Sequence, residues 1–208
     1  MTLLVGLGNP GDRYRLNRHN VGFMAVETIA HRNSITPWRS KFSGSLAEGR
    51  IGSAKVRLFK PETYMNESGR AVRQAIDFFD LGVDDIIVFH DELDLAPGKV
   101  RVKTGGGLAG HNGLKSIAAH LGPDFKRVRI GIGHPGHKDA VSPWVLGDFA
   151  KSDRDWLIAM LDAIGDGAGD LVAGEDGRFM TRVAEAVRTI FPDGAPQSGL
   201  PRGPSNDE

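Results

Sequence analysis

Short apolar runs alternate along the chain with longer segments whose apolar positions recur every three or four residues. Residues 3–6 read as a short buried strand, and residues 8–11 as a turn built on Asn-Pro-Gly. Phe23, Val26, Glu27 and Ala30 have helical spacing, which predicts a helix over about 21–32. Residues 41–48 and 55–59 read as strands and suggest a hairpin. Residues 68–79 read as a helix with Val72, Ala75, Ile76 and Phe79 on one face. Residues 85–90 hold the continuous run IIVF, which suits a strand covered on both sides. A half-exposed strand is predicted over 100–103, a short helix over 112–121 and a strand over 128–132. Two more helices follow, one over 152–172 and one carrying Met180, Val183, Val187 and Ile190. Strands and helices alternating in this way predict an α/β fold: a single globular domain, residues 1–191, with a twisted mixed β-sheet flanked by helices. From residue 192 the composition turns to Pro, Gly, Ser and charge, and 192–208 reads as a disordered tail.

Composition narrows the chemistry. The chain's 208 residues suit one well-buried domain. Lys and Arg number 26, as do Asp and Glu, so any nucleic-acid binding must come from a local basic face. With no cysteine, disulfides, thiolate nucleophiles and Cys-held metals are excluded. The opening MTLLVGLGNPG does not resemble a signal peptide, and no apolar stretch is long enough to span a bilayer. The expected location is cytoplasmic, with no membrane partner.

Gly6, Gly8 and Gly11 match the spacing of a dinucleotide-binding loop, but the context disagrees. That motif opens a helix directly at its glycines, whereas Pro10 biases Asn9 away from helical dihedrals and DRYRLNRHN delays the helix. The glycines are read instead as shaping a loop that presents Asn9 at a strand end.

Sites in α/β sheets gather at the carboxyl ends of strands. Asn9, the run His90 to Asp94, and Asn66 fall at such places, with His19, Asn20, His111 and Asn112 just ahead of helices. Neither a G-x-S-x-G elbow nor an H-E-x-x-H pair is present. The simplest hydrolytic plan is then attack by water. A histidine serves as base, a carboxylate fixes its tautomer, and asparagine donors hold the oxyanion. Plainer readings remain open. His19 suits a helix cap, Asp91 and Asp94 suit turns, Asn112 an N-cap and Asn66 a turn. His134, His137 and Asp139, or the HDELD run, offer metal-ligand types but read better as exposed loops. Lys99, Arg101 and Lys103 precede a triple glycine, Lys115 lies in the next helix, and Arg127 and Arg129 share one face of a strand. These are either a solvated surface or a phosphate track beside a helix N-terminus.

Five stretches, in order between residues 4 and 149, resemble bacterial peptidyl-tRNA hydrolases: VGLGNPGDRYRLNRHNVGF, FKPETYMNESGRAV, HDELDL, GGGLAGHNGLKSI and RVRIGIGHPG. The resemblance implies hydrolysis of the ester between tRNA and a peptide or N-blocked aminoacyl group. It implies His19 as the catalytic base, Asp91 as its hydrogen-bond partner, and Asn9 as the residue that distinguishes blocked from free aminoacyl-tRNA. Asn66 and Asn112 match substrate-binding asparagines, and Tyr14 and Tyr64 match positions near the acyl group and the 3′ end. Many relatives carry Phe where Tyr64 stands. Arg101, Lys103 and Arg129 match basic positions associated with tRNA; some relatives carry Lys at the position of Arg101. The resemblance further implies a monomer without metal or organic cofactor. Rival readings are a non-catalytic RNA-binding protein of the same fold, a nicotinamide oxidoreductase and a metal-dependent esterase.

Overall fold

The computed structural model describes residues 1–192, so residues 193–208 of the expected tail lie outside the described residues. The element order is β1 (Thr2–Gly6), α1 (Val21–Arg32), β2 (Arg39–Lys41), β3 (Gly44–Ile51), β4 (Ala54–Pro61), α2 (Ser68–Phe79), β5 (Ile86–Glu92), β6 (Val100–Thr104), α3 (Asn112–Leu121), β7 (Lys126–Gly131), α4 (Val141–Val145), α5 (Arg154–Val172) and α6 (Asp176–Ile190). Seven strands form one sheet in the order β2-β3-β4-β1-β5-β7-β6. β1 pairs in parallel with β4 and β5, and β5 with β7, while β2/β3, β3/β4 and β6/β7 are antiparallel. The mixed sheet flanked by helices is the expected architecture.

The central strands are apolar on both faces, as their continuous runs require. Leu4, Ile87 and Phe89 point to a core completed by α1, α5 and α6. Leu3, Val5, Ile86 and Val88 point to the opposite core, under α2 and α3. β7 differs: Val128 and Ile130 enter the first core, while Arg127 and Arg129 occupy its other face. That single alternation makes the sheet's far side basic.

The predicted hairpin is β3–β4, but β3 runs three residues later than 41–48 because Phe42 and Ser43, both at positive φ, turn the chain back from β2. The Phe42 ring packs against Phe78 and Phe79. β7 begins at Lys126, two residues before the apolar alternation suggested, since ladder pairing extends past the buried positions. β2 and α4 lack a periodicity long enough to detect.

The glycines that imitate a nucleotide loop serve packing. A Cβ on Gly6 would stand 2.3 Å from the carbonyl oxygen of Gly22, and one on Gly22 would stand 2.3 Å from that of Phe89. Their absence lets the first turn of α1 lie against β1 and β5. Close approach here also brings the segment just before α1 to the end of β5.

Candidate functional site

β1 lies between two parallel neighbours, and the chain leaves β1 and β4 toward opposite faces of the sheet. Such a point opens a crevice at the strands' carboxyl ends. A cleft of about 750 Å³ occupies it, lined among others by Asn9, His19, Asn66, Asp91, His111 and Asn112.

His19 belongs to a 3-10 turn, Arg18–Asn20, that runs straight into α1. It does not cap that helix: the cap position is Asn20, whose side chain binds elsewhere. His19 Nδ1 lies 2.8 Å from Asp91 Oδ1. Both residues are buried, at 9% and 4% exposure, yet both line the cleft. Burial alone pushes the His19 imidazole down. The charge of Asp91 and the hydrogen bond to it outweigh that and leave its pKa above the ordinary histidine value. Burial likewise pushes the Asp91 carboxyl up, but the two imidazoles beside it hold it well below the usual range. Asp91 therefore stays a carboxylate and accepts from Nδ1–H, which leaves the lone pair on Nε2.

The second imidazole is His111. Its Nε2 lies 2.9 Å from the same Oδ1, and its ring centroid 4.9 Å from that of His19. His111, rather than Asn112, is the N-cap of α3: its Nδ1 accepts from the N–H groups of Gly113, at 3.1 Å, and Leu114, at 3.3 Å. A third histidine, His90, donates from Nδ1 to the Asp91 carbonyl at 2.8 Å. Burial, followed by the neighbouring His111, drives its pKa down to about 3, so it stays neutral.

Asn9 is gripped on three sides. Its N–H donates to Asn20 Oδ1 at 2.9 Å, and its carbonyl accepts from Asn20 Nδ2 at 2.9 Å. Its own Oδ1 accepts from Met65 N–H at 2.9 Å. With its acceptor occupied, the amide offers the cleft its Nδ2 donor. Asn66 stands in the 3-10 turn after β4, and Asn112 is the first residue of α3. Both are exposed at the cleft wall. Tyr64, 59% exposed, holds its ring at the rim. Tyr14 does not line the cleft; the Arg13 guanidinium sits 4.6 Å from its ring centre, in the turn before His19.

Arg101, Lys103 and Arg129 are likewise outside the cleft lining, on the sheet's far edge. In the β6/β7 register Arg101 faces Arg129 and Lys103 faces Arg127, so four cations crowd one face in two directly opposed pairs. Like charges so placed cost stability. Two are compensated: Arg129 binds Glu92 at 2.9 Å, and Arg127, buried, donates to the carbonyls of Gly106, Gly107 and Pro123. Among the described residues, Arg101 and Lys103 are exposed and have no carboxylate partner.

His19, Asp91 and His111 are the one group of histidine and acidic side chains among the described residues with the proximity of a metal site, their ligand atoms within 4.8 Å. Its chemistry does not suit an ion. Because His111 Nδ1 accepts from the start of α3, its proton sits on Nε2, where a metal would need a lone pair. His134, His137 and Asp139 do not gather; His134 Nδ1 accepts from the Gly136 N–H instead.

The structure gathers the sequence candidates His19, Asp91, Asn9, Asn66 and Asn112 at one cleft, and three residues that orient them carry no comparable sequence signal. His111 and Asn20 are visible there only as polar residues ahead of helices, and Met65 acts through its backbone, which carries no signature. Also without a sequence signal is the role of Arg18, buried beneath α4. Its guanidinium lies 3.8 Å from the Trp144 ring centre, its backbone N–H donates to the Gly147 carbonyl at 3.0 Å, and Asn17 Nδ2 donates to Asp148 at 2.7 Å. These contacts pin the wall carrying Val145 and Leu146 to the residues beside His19.

The family model described as peptidyl-tRNA hydrolase matches residues 3–189. The chain is 60% identical over 204 residues to a peptidyl-tRNA hydrolase of Dinoroseobacter shibae, covering 97% of this chain and 86% of that protein. It is 61% identical over 189 residues to one of Novosphingobium aromaticivorans, covering 91% of this chain and 99% of that protein. The crystal structure of peptidyl-tRNA hydrolase from Acinetobacter baumannii superposes with a TM-score of 0.83 at 42% identity, over 88% of this chain and 94% of that one.

Proposed function

The chain belongs to the peptidyl-tRNA hydrolase family, and from that premise we propose that it cleaves its substrate with water activated by His19. Its reaction is hydrolysis of peptidyl-tRNA, which parts the peptide from the 3′-terminal ribose. The non-catalytic RNA-binding alternative has no use for a buried histidine–carboxylate pair opening on a cleft.

The carrying observation is the 2.8 Å contact between His19 and Asp91. Asp91 holds the proton on Nδ1, so Nε2 takes a proton from water as its oxygen attacks the ester carbonyl carbon. Asp91 then stabilises the imidazolium. Asparagine amides, Asn112 at the start of α3 and Asn9 with its outward Nδ2, donate to the oxyanion. Collapse breaks the bond to the 3′ oxygen, which leaves with the proton carried by His19. The products are free tRNA and a peptide with a new carboxyl group.

Asn9 also explains a preference for blocked substrates. A peptide carries a carbonyl on the nitrogen of its last residue, and that carbonyl accepts from Asn9 Nδ2. A free aminoacyl group presents an ammonium there, a cation meeting a donor whose own acceptor is already occupied by Met65. Tyr64, Asn66 and Asn112 border the space for the acyl group and terminal nucleotide, with the exposed ring suited to stacking on a base. Tyr14 serves the outer margin of the same path. Arg101, Lys103 and Arg129 meet the phosphate backbone. We infer a monomer that needs no metal or organic cofactor and works in the cytoplasm, where translation supplies the substrate. No helix among the described residues is long and apolar enough to cross a membrane.

The test is release of N-acetylaminoacyl groups from tRNA by the purified protein, beside the Asn9→Ala variant. Asn9→Ala should narrow the rate ratio of N-acetylated to free aminoacyl-tRNA, chiefly by admitting the free form. An unchanged ratio removes Asn9 from discrimination.

A further inference from the structure

We propose that His111 is a positioning residue that tempers the basicity of His19 by holding a second share of Asp91 Oδ1. The inference deepens the reading of His19 as the base and rests on it.

Asp91 Oδ1 lies 2.8 Å from His19 Nδ1 and 2.9 Å from His111 Nε2. A carboxylate oxygen has room for two donors, but each accepted bond withdraws charge from the other. The imidazolium formed on His19 during turnover is therefore steadied by a carboxylate already partly spent. A base works best with its pKa near the operating pH, and an undivided buried carboxylate would raise it further.

His111 suits this role because its state is set from outside the pair. Two N–H groups at the start of α3 donate to its Nδ1. With Nδ1 committed to that cap, Nε2 carries the proton that His111 donates to Asp91. Helix α3 thus reaches His19 through three hydrogen bonds in series.

The other charged groups around the pair are accounted for. On β5, His90 stacks edge-on at 5.1 Å from His111 and stays neutral, with a pKa of about 3. Glu92 is taken by Arg129, and Arg127 by backbone carbonyls. Beside His19, Arg18 turns away to Trp144 and Asp153. His134 and Lys138 on the α4 wall and Asp94 after β5 also border the cleft. None of these three is bonded to Asp91.

Two substitutions separate the two nitrogens of His111. Asn places an oxygen near the position of Nδ1 and keeps the cap, but is too short to reach Asp91. Gln places an amide donor near the position of Nε2 and keeps the bond to Asp91. His111→Asn should move the His19 titration, followed by NMR of the ring, upward by roughly half a unit to one unit, and the acid limb of kcat/KM with it. His111→Gln should bring both back toward the wild-type values. A purely structural role would lower the melting temperature or the plateau rate and leave the midpoint in place. An unmoved or lowered His19 midpoint in folded His111→Asn overturns the proposal. The wild-type protein gives a check that needs no variant: the His111 Nε2–H resonance should shift at the His19 midpoint. No response at that midpoint is equally fatal. Because the NMR titration does not depend on turnover, it stands apart from the base assignment. That assignment fails if His19→Ala keeps its activity, whatever the ring titrations show.

Discussion

The cleft and the basic edge of the sheet are both built from polar side chains, and they are held in opposite ways. In the cleft His19, Asp91, His111 and Asn9 are buried and tied to one another or to backbone at 2.8–3.3 Å. On the β6/β7 edge, Arg101 and Lys103 stand exposed and, among the described residues, without carboxylate partners, facing like charges across the ladder. Chemistry needs atoms fixed within fractions of an ångström, and burial with several hydrogen bonds to each group favours that. The phosphate contact proposed for the edge needs potential rather than placement, which suits exposed cations. The contrast teaches that a defect in the cleft should appear in turnover, and one on the edge in binding.

The largest expected effect is in the cleft. His19→Ala should lower kcat by about 10²–10⁴-fold, the range for general-base catalysis, on full-length tRNA and on a minimal acyl-adenosine ester alike. Circular dichroism should show the variant folded. Turnover equal to wild type would remove His19 from the mechanism.

Next comes the edge. Lys103→Ala, and more so with Arg101→Ala, should raise KM for full-length substrate several-fold at low salt and leave the minimal ester unaffected. The slope of log affinity against log salt should flatten by about one unit for each phosphate that is no longer neutralised. Equal losses on both substrates would erase the division between the two regions.

The smallest effect is a matter of pH. The base must be neutral to act, and Asp91 holds the His19 pKa above the ordinary value of 6.5. The kcat/KM of the wild type should therefore fall away with acid at a midpoint above 6.5, rather than at or below it. Lys103→Ala should leave that midpoint in place, since the edge lies outside the cleft. A midpoint that moves with edge charge would mean that the two regions are coupled.

Much of the fold and of the site is legible in the sequence by itself. The IIVF run announces a strand covered on both faces, and the 3.6-residue spacing over 68–79 announces α2 to the residue. Asn9, His19, Asn66, Asp91 and Asn112 are visible as polar residues at strand ends and helix starts, but caps and turns account for such residues as well, and their roles follow from the resemblance of the five motifs taken in order. Local patterning reveals such features because burial acts on each segment's own periodicity.

What only the tertiary structure decides is who touches whom. Residues 19, 91 and 111 meet because glycines at 6 and 22 let α1 press against β1 and β5, and because α3 begins at the end of the same sheet. No local pattern encodes that convergence. Nor does any encode that His111 caps α3 with one nitrogen and binds Asp91 with the other, or that Asn9 Oδ1 is occupied by a backbone N–H. Hydrogen bonds between segments far apart in the chain depend on how the layers pack. A sequence read one segment at a time shows which groups are available, whereas their partners are set only when the sheet and helices close around them.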